Sequence, residues 1–117
     1  MSWAPLTEAS LSDLIHAAQR RMTAAQGRLW EAIRMPPQKW KQTPYGDEGG
    51  GFWVVAVIGS RVVWYNDIEE GFNWSHYTVP GEIGEYWCNQ DDLEHAVQRL
   101  LDEIDGASAG YQLGPPQ

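Results

Sequence analysis

The amino-acid sequence predicts an α+β fold, an antiparallel three- to four-stranded β-meander with a long N-terminal helix and a C-terminal helix, in the order α-β-β-β-(β)-α. Three observations carry this. An apolar stripe at helical spacing runs through residues 11–33, two β-branched and aromatic runs flank Gly59-Ser60, and a second helical stripe occupies residues 93–104.

The first stripe, Leu11, Leu14, Ile15, Ala18, Met22, Ala25, Leu29 and Ile33, implies one amphipathic helix over residues 9–34. Ser10 with Asp13 makes a weak capping box, Thr7 is a competing cap, and Met35-Pro36-Pro37 stops the element. Residues 36–51 mix proline, glycine and charge without periodicity and read as a loop. Glycine at the first central position of Gly59-Ser60 suits a type II′ hairpin. If Ile58 pairs with Arg61, Val57 faces Val62, Val55 faces Trp64 and Trp53 faces Asn66, with Trp53, Val55, Val57, Val62 and Trp64 on one face.

Both faces of that hairpin are apolar, so something must cover each. The helices can take one. The other needs a loop, the tail or a second copy of the chain, and a homodimer is the favoured solution, with the loop around Trp40 as the alternative. A third strand fits residues 72–79, and "EIGEYWC" is a candidate fourth strand after the Pro80-Gly81 turn. Asn89 or Asp91 can cap the last helix, and Gly106 ends it, leaving a loose tail at residues 107–117. Cys88 reads as a small buried hydrophobe at a strand end.

The chain of 117 residues is the size of one domain, here residues 1–117 with a core over about 9–106. The single cysteine precludes an internal disulfide and suits a reducing, cytoplasmic setting. No stretch approaches the roughly 18 apolar residues that span a bilayer, so no membrane partner is expected. The net charge is −8, and it is unevenly placed. Residues 1–46 hold six bases and three acids, whereas residues 47–117 hold two bases, Arg61 and Arg99, and thirteen acids. Nucleic acid is a poor partner for such a surface. A basic protein suits it.

The densest cluster of polar and aromatic residues is "WYNDIEEGFNW". Its acids lack the alternating spacing of an EF-hand loop. No histidine pair has zinc spacing, Cys88 has no evident base, and the triple glycine at residues 49–51 lacks the lysine and helix of a phosphate loop. No cofactor or metal is implied, and no catalytic residue is identified. The plain reading is a polar turn from Asp67 to Gly71, with Gly71 at positive φ and Asp67 or Asn66 bonding its own backbone. Aromatic anchors beside an acidic rim also suit recognition, and the candidate binding residues are Trp64, Asn66, Asp67, Glu69, Glu70, Asn73, Trp74 and Tyr77. The alternative is a small enzyme or metal-dependent protein using Asp67, Glu69, Glu70 and His76.

The runs "GGGFWVVAVIG", "VVWYNDIEEGFN" and "GEIGEYWCNQDDLEHAV" resemble a family of short bacterial proteins of uncharacterised function, over residues 49–100. That resemblance implies a free-standing bacterial, cytoplasmic domain and carries no site residues. In size, acidity and aromatic content the chain is similar in type to immunity proteins that neutralise basic toxins.

Overall fold

Helix α1 (Glu8–Arg21) and helix α2 (Ala24–Ile33) precede strands β1 (Arg34–Trp40), β2 (Phe52–Ile58), β3 (Arg61–Asn66) and β4 (Gly71–His76), and helix α3 (Leu93–Leu113) closes the chain. The structure, a computed structural model, describes the backbone of residues 3–113 and the side chains of residues 3–106. The four strands form one antiparallel sheet in the order β1-β2-β3-β4. An α+β meander is therefore present, with its fourth strand before the hairpin instead of after it.

The expected single helix is two. Met22 and Thr23 are both extended, with ψ of 141° and 168°, and Thr23 opens α2 with a full capping box to Gln26. Its hydroxyl accepts from the Gln26 amide at 3.2 Å, and the Gln26 side chain accepts from the Thr23 amide at 2.9 Å. Two satisfied end groups make a helix start at Thr23 cheaper than continuing the first helix through it. Thr7, not Ser10, caps α1.

Pro36 and Pro37 do not end in a loop. They lie in β1, an edge strand, where a missing amide donor costs no ladder bond, and the register shifts between Arg34 and Gln38. "EIGEYWC" is not a strand. It makes only an isolated parallel bridge, Lys41 to Glu82, with Lys41 donating to the Gly81 carbonyl and accepting from the Ile83 amide. Helix α3 starts at Leu93, where the Asp92 carbonyl takes the His95 and Ala96 amides, so neither Asn89 nor Asp91 caps it. It continues past Gly106 to Leu113, where a loose tail was expected; residues 114–117 lie outside the described ones.

The hairpin turn is as expected, with Gly59 at φ +58°, Ile58 opposite Arg61 and Val57 opposite Val62. Beyond that the register departs. A bulge between Val54 and Ala56 puts Val54 opposite Trp64 and Trp53 opposite Tyr65. The extra residue reverses side-chain alternation. Val55 and Ala56 both enter the helix-facing core, joined by Trp53 at its edge, while Phe52, Val54, Val62 and Trp64 fill the opposite core.

Both sheet faces are buried, as the sequence requires. On one face α1, α2 and α3 bring Leu11, Ile15, Trp30, Leu93, Val97 and Leu100 onto the sheet. On the other, Trp40 from β1 joins Tyr77, Ile83 and Tyr86 from the segment after β4. The second face thus has a cover from this chain's own residues, Trp40 among them. Cys88 lies exposed on that segment, not buried at a strand end.

Two glycines differ sharply in surroundings. A Cβ on Gly71 would strike the backbone of Asn89 and Gln90, whereas one on Gly27, inside α2, would meet nothing within 4 Å. Gly71→Ala is expected to cost about 3 kcal/mol or more by displacing the loop, and Gly27→Ala to gain about 0.5–1 kcal/mol. Chemical unfolding of the two variants checks the opposite signs.

Candidate functional site

The polar stretch that stands out in the sequence separates in the structure into a buried frame and an exposed rim. Trp64, Asn66 and Asn73 are buried. The Trp64 indole donates to the Ser75 hydroxyl at 2.8 Å, which donates onward to the Glu85 carbonyl at 2.8 Å. Asn73 accepts from the Asn89 amide at 3.0 Å and donates to the Asn89 carbonyl at 3.1 Å, matching that residue as a neighbouring strand would. Asn66 donates to the Tyr86 hydroxyl and the Trp87 carbonyl, and its oxygen accepts from the Ile68 and Glu69 amides. These three side chains build the site and are closed to a ligand.

The turn itself is an Asn66-capped one, as expected for this residue type. Gly71 is not the residue at positive φ. Glu70 is, at φ +60°, and Gly71 is glycine because the Asn89-Gln90 backbone passes against it. A glutamate in the left-handed region costs on the order of 1 kcal/mol, and such cost is concentrated at functional positions.

Asp67 ties the N-terminal segment down. Its Oδ2 accepts from the Leu6 amide at 2.8 Å and its carbonyl from the Trp3 indole at 3.1 Å, while Oδ1 is buried with no hydrogen-bond partner among the described residues. The Trp53 indole donates to the Leu6 carbonyl at 2.8 Å and completes the anchor. Between this segment, α1 and the turn lies a groove of about 480 Å³. Trp3, Leu6, Leu14 and Tyr65 give it apolar walls, and Asp13, Asp67 and Glu70 give it three carboxylates. None of the described residues lining it is basic. Burial pushes the Tyr65 hydroxyl up from its ordinary pKa, and the Glu70 and Asp67 charges push it further.

Of the remaining candidates, Glu69 is partly exposed at the turn and its carbonyl accepts from Gln90. Trp74 packs at the edge of the helix-facing core, and Tyr77 lies under the second face with its hydroxyl donating to the Gly59 carbonyl. His76 pairs with Arg61, whereas Asn66 pairs with Gly71 at the other end of the hairpin, roughly 16 Å along the strand. The turn acids and His76 are therefore not brought together.

A different trio, Asp92, Glu94 and His95, has its ligand atoms within 4.8 Å of one another. A cation already stands there. Arg21 donates to both Glu94 oxygens at 2.6 and 3.1 Å and lies 3.9 Å from Asp92. Sequence reading missed this pair, because the two residues are 73 positions apart. No family model, curated protein or solved structure matches the chain.

Burial alone would raise the Glu94 carboxyl, but the Arg21 hydrogen bonds, a backbone hydrogen bond and the Arg21 and His95 charges together outweigh it and hold the group below its ordinary 4.5. A lowered folded-state pKa contributes stability above the unfolded value, and that contribution is lost as pH falls through the folded value. Glu94→Gln is thus expected to cost about 2 kcal/mol near neutrality, with the gap to wild type closing as pH drops below 4.5. Unfolding free energies measured across that range check it.

Proposed function

We propose that the protein acts by binding another protein, a basic one, through the groove formed by Asp13, Asp67 and Glu70. The observation that carries this reading is the pairing of three carboxylates with apolar walls in one concavity that has no basic residue among the described ones lining it. A lysine or arginine side chain fits both parts: its methylene stem lies along Trp3, Leu14 and Tyr65, and its head meets the acids. Trp3 and Leu14 are 37% and 38% exposed, which leaves apolar surface for the partner to cover.

The uneven charge of the chain supports the same partner. Thirteen acids in the second part of the sequence attract a basic surface and speed its approach, which is the economy of an inhibitor or immunity-type protein. Such a role needs no catalytic group, and a bacterial cytoplasmic setting agrees with the resemblance noted above. No helix among the described residues is long and apolar enough to cross a membrane.

The Asp13 and Glu70 side chains make no hydrogen bond among the described residues, so reversing their charge tests binding without touching the frame. A synthetic peptide of interspersed lysine, arginine and leucine is expected to bind the wild type and to bind the Asp13→Lys/Glu70→Lys variant at least about tenfold more weakly, with unchanged circular dichroism. Equal affinity for both proteins contradicts the reading. Glu70→Gly has a paired signature: it relieves the left-handed backbone and raises stability by about 1 kcal/mol while weakening the peptide. Loss of stability in that variant would mean that Glu70 serves the fold.

A further inference from the structure

A second concavity, of about 330 Å³, is lined by Trp74, His76, Glu85, Trp87, Asn89 and Arg99. It lies between β4, α3 and the segment that covers the second sheet face, and it shares no residue with the acidic groove. Arg99 lines it, and the Arg61 guanidinium, bonded to Glu103 at 3.1 Å, sits 5.5 Å from the centre of the Trp74 ring. Trp87 is 48% exposed. The segment that carries it is held by its backbone, through Asn66 and Asn73, so the indole is presented to solvent by a fixed support instead of by a loose loop.

The polar groups are held as well. Glu85 Oε1 accepts from the His76 amide at 2.9 Å and meets His76 Nδ1 at 3.2 Å. The His76 amide is the main cause that keeps the Glu85 carboxyl below its ordinary range, with the His76 ring and the Trp87 indole adding to it. Arg99 Nε lies 2.7 Å from Asp91 Oδ2 as an ion pair without hydrogen-bond geometry, and its two terminal nitrogens make no hydrogen bond among the described residues. The Asn89 backbone is bound to Asn73, and its side-chain amide makes no hydrogen bond among the described residues.

The groove thus offers an acceptor held by His76, a donor paired in charge with Asp91 and an amide that does both, with two indole rings in its lining. An anionic ligand meets the Glu85 carboxylate, and a cationic ligand meets the Arg99 guanidinium. A neutral ring bearing hydroxyl groups meets neither penalty, since every hydroxyl both donates and accepts, and the C–H face of a pyranose lies flat on an indole. We propose that this groove is a binding site for a neutral saccharide, with Trp87 and Trp74 as the ring platforms and Glu85, Asn89 and Arg99 as the hydroxyl partners.

Titration of isotope-labelled protein with cellotriose, chitotriose and maltotriose, followed on the tryptophan indole signals, tests it. At least one of these sugars is expected to move the Trp74 and Trp87 indoles and the Asn89 amide at millimolar concentration, while the buried Trp30 and Trp64 indoles stay still. Trp87→Ala removes an exposed side chain and is expected to weaken that sugar about tenfold with Trp30 and Trp64 unmoved. Asn89→Ala should weaken it in the same direction. The proposal is overturned if none of the three sugars moves the two indoles, or if Trp87→Ala binds as the wild type does. It is equally overturned if adenosine, inorganic phosphate or the lysine-rich peptide moves those indoles where the sugars do not.

Discussion

The rest of the structure depends on a pair of buried asparagine side chains, Asn66 and Asn73, that do the work of a missing strand. The sheet is apolar on both faces, and only one face has helices on it. The segment that covers the other has little regular structure, so its backbone groups need partners from elsewhere. Asn73 supplies both partners for Asn89, Asn66 supplies one for Trp87, and Ser75 supplies one for Glu85. A buried amide that is fully paired adds stability and fixes one geometry, whereas removing it leaves backbone groups unmet at about 1–3 kcal/mol each.

Both candidate sites descend from that frame. Asn66 points its oxygen at the Ile68 and Glu69 amides and so shapes the turn that offers Asp67 and Glu70 to the acidic groove. With its nitrogen, it holds the Trp87 carbonyl and therefore the platform of the aromatic groove. One residue sets the position of two surfaces. The close passage of Asn89 and Gln90 against Gly71 adds a steric lock at the same place.

Sequence reasoning reached the fold class because the apolar stripes and the Gly59-Ser60 turn are local, and local patterns determine elements directly. It missed features whose cause lies across the chain or in one subtle cap. The helix break at Thr23 had a signal in Thr23-Ala24-Ala25-Gln26, a capping box hidden inside an otherwise continuous stripe. The bulge at Val55 left none, since both of its residues are apolar and suit either face, and it moved Trp53 and Trp64 out of the expected register. Pro36 and Pro37 read as a stop because their place on a sheet edge is a tertiary fact. For the candidate site, residue type led to the turn but not to the roles: Trp64, Asn66 and Asn73 are frame, Asp67 and Glu70 are rim, and Asp13 and Trp87 were not singled out because their neighbours in space are distant in sequence.

The central claim is that side-chain amides hold the covering segment as strand pairing would. Native-state hydrogen exchange of the Asn89 amide in wild type and in Asn73→Ala measures it most directly. The account predicts that this amide is strongly protected in the wild type and loses most of its protection in the variant, while the Val62 and Val63 amides in the centre of the sheet keep theirs. Unchanged protection of Asn89 in Asn73→Ala would contradict it.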